Sequence, residues 1–203
     1  MVSKETNERR KKRKPKPLDE ARLRDLALSY AARYATTSAK LEAYLSRKIR
    51  ERGIEEDADG ATDVPALVGS IVERMVELRY VDDEAYAKAR SGSLLRRGYG
   101  SRRVNEALRH AGVDEHTREN VAPGVAAARD AAMTMARKRR FGPYGDQRSD
   151  DSVEEPYRLD PAIRQKQIAA MLRAGHSFDA ARIVIDAASI DEIEEWLMAA
   201  ADE

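Results

Sequence analysis

An all-α fold is what this sequence predicts, and three observations carry the prediction. The 203 residues are 36% charged, 42% hydrophobic with alanine prominent, and only 5% aromatic, a mixture suited to closely packed helices and poor in strand-forming residues. Apolar residues return every three to four positions along most of the chain, the spacing that lines one face of a helix. Asp, Ser and Gly stand where those runs begin and end, as helix caps do.

Taken in order, the elements follow from these signals. Residues 1–17 lack periodicity and hold eight Lys/Arg against two acids, so self-repulsion predicts a disordered basic tail. Helices are expected from near Leu18, first along Leu23, Leu26, Tyr30 and Tyr34. A second runs along Leu41, Tyr44, Leu45 and Ile49 and ends at Gly53, a residue able to take the left-handed conformation that closes a helix. After an acidic loop from Glu55 to Asp63, Leu67, Val68, Ile71, Val72, Met75 and Leu78 predict a strongly apolar, buried helix. Asp82 is the expected N-cap of a helix with Ala85, Tyr86, Ala89, Ser93 and Leu94 inward, stopped by the Gly98-Tyr99-Gly100 turn. Ser101 is the expected cap of the next helix, whose inner face is Val104, Ala107, Leu108 and Ala111 before Gly112.

Asp114 then opens a short helix broken near Pro123, and a longer one runs through Val125, Ala128, Ala132 and Met135 to the basic run Arg137 to Arg140. A polar stretch from Gly142 to Glu155 is too long for a routine helix connection and is expected to be a flexible insertion. Asp160 with Pro161 behind it is a favoured helix start, leading through Ile163, Ile168, Met171 and Leu172 to Gly175. Ser177 caps a helix lined by Ile183, Val184 and Ala187, and Ile190, Ile193, Trp196 and Leu197 line the last.

Several function classes are excluded by what the chain lacks. With no cysteine there are no disulfides, thiolate metal sites or Cys nucleophiles. The longest apolar run, Trp196 to Ala201, is six residues, against the roughly 20 of a spanning helix, so no membrane association is expected. The basic start is followed by an amphipathic segment rather than an apolar one, which argues against export and for a cytoplasmic protein. No phosphate-binding loop, dinucleotide fingerprint, zinc-ligand spacing or nucleophile elbow occurs, so no metal, cofactor or catalytic residue is assigned. His110, His116 and His176 each lie near a helix end and read as dipole partners or surface residues. Asp82 and Asp83 read as a cap and a first-turn acid, not a catalytic pair.

YLSRKIRERGI, VNEALRHAGV and IAAMLRAGHS each place apolar residues and Arg just before a helix-ending glycine, which suggests a unit used three times. On pattern alone the repetition is weak. The segment LRYVDDEAYAKARSGSLLRRGYGSRRVNEALRHAGV, residues 78–113, adds to it. Its Tyr80-Val81-Asp82-Asp83-Glu84-Ala85-Tyr86-Ala87, with Arg-rich text and a Gly turn after it, resembles the signature of the RecX family. Upstream, Ser38, Leu41, Leu45, Lys48 and Gly53 are similar to that family's first repeat, and the likeness covers roughly residues 24–190. The chain departs from the pattern at Tyr86, where many members have Phe, at His176, where an aromatic is common, and at the insertion.

The resemblance implies three tandem three-helix repeats in a curved, elongated arrangement. Under it the chain divides into a basic tail 1–17, repeats 18–81, 82–125 and 126–190, the last carrying an insertion 142–159, and an acidic C-terminal helix 191–203. It also implies a monomeric regulator without catalysis that binds the RecA–DNA filament and inhibits its ATPase, strand-exchange and co-protease activities, with single- and double-stranded DNA as further partners. If binding follows charge, the candidates are Arg96, Arg97, Arg102, Arg103 and Arg109 around the Gly98 to Gly100 turn, and Arg47, Lys48 and Arg50 on the preceding unit. Each is equally an ordinary solvated residue, and Arg102→Ala is expected to leave stability nearly unchanged. Tyr99 is either an anchor for a partner or a cover over the neighbouring helix. The rival function is non-specific DNA binding independent of RecA, with the tail and the Arg-rich middle neutralising phosphates.

Overall fold

The computed structural model describes residues 16–55, 62–145 and 159–201. Among them are ten α-helices: α1 Glu20–Arg33, α2 Ser38–Arg52, α3 Val64–Glu77, α4 Asp83–Arg96, α5 Ser101–His110, α6 Glu115–Asn120, α7 Val125–Arg139, α8 Pro161–Arg173, α9 Phe178–Asp186 and α10 Ile190–Met198. The described residues contain no strand beyond a single bridge between Leu18 and Ile54. None of their helices is long and apolar enough to cross a membrane. The predicted basic tail up to residue 15 and most of the loop 55–63 lie outside the described residues.

The chain divides into two compact units, the first holding the described residues up to Tyr34 together with Leu41–Tyr80, the second Ala35–Lys40 and the described residues from Val81 onward. In the first unit Asp19 caps α1 by accepting the Arg22 N–H at 2.7 Å. The buried residues are Leu23 and Ala27 of α1, Leu41, Leu45 and Ile49 of α2, and Val68, Ile71, Val72 and Met75 of α3. Leu18 is pinned beside the end of α2, donating its N–H to the Gly53 carbonyl and accepting from Glu55 N–H, both at 2.9 Å. Leu78 is not part of this core: it is 45% exposed, because α3 ends before it and the chain reverses through Arg79 at φ +59°. Tyr34 is likewise outside the core, since α1 has given way to extended backbone there.

The second unit holds two apolar clusters. Ala87, Leu94, Val104, Leu108, Ala111 and Val113 fill the space between α4 and α5 and the turn that follows. Ala132, Met135, Ala136, Ile168, Met171, Ala181, Val184, Ile185 and Ile193 fill that among α7, α8, α9 and α10. The inward face of α4 is Ala87, Ser91 and Leu94, whereas Ala85 and Ala89 are exposed. With three alanines and two serines spread over its faces, hydrophobicity alone does not fix the rotation of this helix. Asp82, Asp160 and Ser177 cap α4, α8 and α9 through backbone N–H groups. Ser101 does not cap α5; Gly100 takes the N-cap position and Ser101 is the first helical residue.

The expected flexible insertion is corrected at its start. Gly142–Gly145 form a 3-10 turn in which Gly142 and Pro143 are buried. Gly142 donates its N–H to Gln167 Oε1 at 2.9 Å, and a side chain there would lie 2.6 Å from the Val184 carbonyl oxygen. Leu159 packs on the last cluster, and residues 146–158 lie outside the described residues.

Glycines with positive φ end α2, α5 and α8: Gly53 at +79°, Gly112 at +76° and Gly175 at +95°. Within the second unit two of these ends make similar joints with a helix start. The Ala111 carbonyl accepts from Thr37 Oγ1 at 2.5 Å while Gly112 lies against Ala39. The Ala174 and Gly175 carbonyls accept from the N–H groups of Gly100 and Arg102, at 2.9 and 3.2 Å. A C-terminal helix end has carbonyls without intrahelical partners; a hydroxyl satisfies one of them in the first joint, and spare N–H groups of a helix start do so in the second.

Candidate partner-binding surface

Three of the basic candidates belong to α2 in the first unit. Arg47 and Lys48 both reach Glu51, at 3.7 and 2.7 Å, and both approach the Tyr44 ring, 5.6 and 5.9 Å from its centre. Glu51 is held below the usual carboxylate range chiefly by the hydrogen bond from Lys48; desolvation opposes it, and the charges of Lys48, Arg47 and Arg50 each add a smaller lowering effect. Arg50 is exposed in the last turn, where a cation complements the helix dipole.

The other five, together with Tyr99, flank the tight turn between α4 and α5 in the second unit. Arg96 ends α4, and its carbonyl accepts from Lys138 Nζ at 2.9 Å. Arg97 lies over Tyr99, 5.3 Å from the ring centre. Tyr99 is half-buried against the α4–α5 cluster, so of its two readings the covering contact is the one formed within the chain. Arg103 and Arg102 share Glu106, at 3.4 and 3.9 Å, and Arg109 is exposed near the end of α5.

Arg102 is also tied down at its far end, where Nη2 donates to the Leu172 carbonyl in the last turn of α8. It is therefore a structural clamp as well as a surface cation, and the expectation that its removal is neutral for stability needs correction. The Gly98-Tyr99-Gly100 turn is similarly a packed joint. A side chain on Gly100 would come within 2.3 Å of the Gly175 carbonyl oxygen, and one on Gly98 within 2.9 Å of the Met135 nitrogen.

His176 departs most from its reading as a dipole partner or surface residue. It is 5% exposed, and its Nε2 donates to the Gly98 carbonyl at 3.0 Å, across a sequence separation no local pattern reveals. Burial pushes its pKa below the ordinary histidine value, only partly opposed by the Gly98 hydrogen bond. The unfolded chain therefore binds the proton more readily than the folded one, and stability must rise with pH between the two values. The contribution of the neutral ring is complete above about pH 6.5 and is lost as pH falls from there through the lower folded value. Denaturant midpoints measured from pH 8 to 5 should drop more for the native chain than for His176→Gln, whose side chain does not titrate. His110 and His116 are exposed, as expected, and His116 faces Asn120 at 3.1 Å.

Two features escaped the sequence reading. One is a cleft of about 770 Å³ in the second unit, lined by Arg102, Val125, Phe178 and Trp196 among others. Arg129 closes one side, its guanidinium 5.0 Å from the Trp196 ring and donating to the Trp196 carbonyl at 2.7 Å. The other is a tyrosine cluster in the first unit, in which Tyr30 stacks on Tyr44 at 4.2 Å and touches Tyr34 at 5.2 Å. Helical spacing predicts Tyr30 and Tyr34 on the inward face of α1 and Tyr44 on that of α2; the same spacing brings Tyr30 and Tyr34 together, with Tyr34 on the surface.

Comparison with known proteins identifies the relatives of the chain. The family model described as "RecX, second three-helix domain" matches residues 82–121, which span α4, α5 and α6. The chain is 33% identical over 180 residues to the regulatory protein RecX of Myxococcus xanthus strain DK1622, covering 86% of this chain and 89% of that one. It is 29% identical over 167 residues to the regulatory protein RecX of Mycobacterium sp. strain JLS, covering 80% and 81%. The crystal structure of RecX from Lactobacillus salivarius shares the fold at a TM-score of 0.58 and 16% identity, covering 89% of this chain and 97% of that one.

Proposed function

The chain belongs to the RecX family, and from that premise we propose that it binds the RecA–DNA filament and inhibits its ATPase, strand-exchange and co-protease activities by occupancy. It acts as a monomer in the cytoplasm, as three repeats, 18–81, 82–125 and 126–190, with an acidic helix 191–203 behind them. The observation that supports this best is the α4–α5 turn. Its backbone is locked by Gly100 and Gly175, while Arg97, Arg103 and Arg109 stay exposed around it. Cations on a rigid support suit recognition of a charged assembly, because little order is lost when they engage.

Charge reversal tests the assignment. Replacing Arg103 and Arg109 together by Glu should raise the concentration needed to inhibit RecA-catalysed ATP hydrolysis at least about tenfold, equivalent to about 1.4 kcal/mol, while the lost Glu106 pair and the reversed charge in the last turn of α5 cost about 1 kcal/mol of stability and leave the variant folded. Undiminished inhibition by a folded variant would remove this turn from the interface.

A further inference from the structure

We propose that the groove between α1 and α2 in the first unit is a stacking platform for unpaired nucleobases, giving the chain a site of its own for single-stranded nucleic acid. The idea stands independently of the filament reading, because it rests on the groove alone.

Three rings meet in this groove. Tyr30 and Tyr44 are nearly parallel, 17° apart with centres 4.2 Å apart, and Tyr34 leans on Tyr30 at 49° with more than half of its surface, 58%, open. They are not needed to fill the core. Leu23 and Ala27 of α1, and Leu41, Leu45 and Ile49 of α2, are already buried on other faces of these helices. Tyr30 and Tyr44 are half-buried and stack on each other, so the ring that the cluster leaves open to a ligand is Tyr34.

The charge around the rings selects that ligand. The groove, about 590 Å³, is lined by the three tyrosines, Leu26 and Ser29, with Arg33, Arg47 and Lys48 as its charged groups and no carboxylate among its lining residues. Glu51 steadies Arg47 and Lys48 from the α2 side without entering the groove. Cations placed beside the open Tyr34 ring match the two halves of a nucleotide, phosphate and base. A duplex satisfies only the first half, since its base faces are already stacked upon each other. An acidic peptide would also leave the aromatic faces without a planar partner.

The test uses the full chain and a fluorescein-labelled oligothymidine, read by anisotropy, beside an abasic oligomer of equal length and a duplex. Attraction of phosphate to cations elsewhere in the chain is common to all three, so the difference isolates the bases. The native chain should bind oligothymidine more tightly than the abasic oligomer. Tyr34→Ala should weaken oligothymidine binding about 5- to 150-fold, the range of one lost base stack, without weakening abasic binding. Tyr34→Trp should retain the preference, which a merely structural role would not require. Because Tyr34 is mostly exposed, both variants should keep the native melting temperature, and circular dichroism checks this.

Equal affinity for the abasic oligomer, tighter binding of the duplex, or indifference to Tyr34→Ala would each overturn the proposal. If Tyr34→Ala abolished inhibition of the recombinase while sparing oligothymidine binding, the groove would be a protein-docking surface instead, and the proposal would again fail. Loss of oligothymidine preference with recombinase inhibition intact would support it.

Discussion

Gly175→Ala is expected to destabilise the chain by about 2–5 kcal/mol, because two independent costs fall on one methyl group. Gly175 closes α8 at φ +95°, a left-handed conformation that costs an L side chain about 1–2 kcal/mol. The methyl would also meet the Arg103 backbone nitrogen at 2.4 Å and the Arg103 Cβ at 2.7 Å, so the joint between α8 and α5 must open, an overpacking cost of about 1–3 kcal/mol. Gly53 is the natural control. It has a similar φ of +79° but nothing within 4 Å of where a methyl would go, so Gly53→Ala should show the conformational cost alone, about 1–2 kcal/mol. Urea unfolding of the two variants side by side measures the difference; equal shifts would mean that the α8–α5 joint yields freely.

Leu108→Ala should also cost about 2–5 kcal/mol, the penalty for emptying a packed apolar site. The side chain is 1% exposed and packs among Ala87, Leu94, Val104, Ala111 and Val113, several of them too small to expand into the void. Arg102→Ala is the companion measurement. It removes the hydrogen bond to the Leu172 carbonyl, but from a side chain that is 62% exposed, so the expected loss is no more than about 1 kcal/mol. Denaturant midpoints in which Leu108→Ala is neutral would mean that the inner face of α5 has been misassigned.

What the sequence made legible is local. Asp82, Asp160 and Ser177 are caps because a short acceptor ahead of a helix can reach N–H groups two or three residues on, a relation contained within one turn. Leu41, Leu45 and Ile49, and Val104 and Leu108, declare their faces by spacing. What was not legible depends on partners far along the chain. His176 meets Gly98 and Arg102 meets Leu172 at separations of 78 and 70 residues, and neither contact leaves a mark on its neighbours in sequence. The turn at Gly142–Gly145 reads as polar loop text, yet it is held by Gln167 and the backbone of α9, again from a distance. Alanine-rich α4 failed for a different reason, since small side chains on every face give the hydrophobic pattern little contrast.

The same division applies to the candidate surface. Charge was visible as composition, and the Arg pairs beside Gly98 and Gly100 stood out at once. Which of those cations are occupied was not visible, because Glu106 engages Arg102 and Arg103 from one side and α8 engages Arg102 from the other. Arg97, Arg103 and Arg109 are consequently better candidates for a partner than Arg102, whose substitution would perturb fold and surface together.

The proposed effect arises from binding to an assembled recombinase filament rather than from competition for its DNA. This is tested most directly by titrating the purified chain, at ratios well below one per RecA, into RecA turning over ATP on single-stranded DNA, then adding a large excess of free DNA. Hydrolysis should fall and stay low after the addition, with or without residues 1–17. Recovery of hydrolysis when free DNA is supplied, or no inhibition at any ratio, would contradict it.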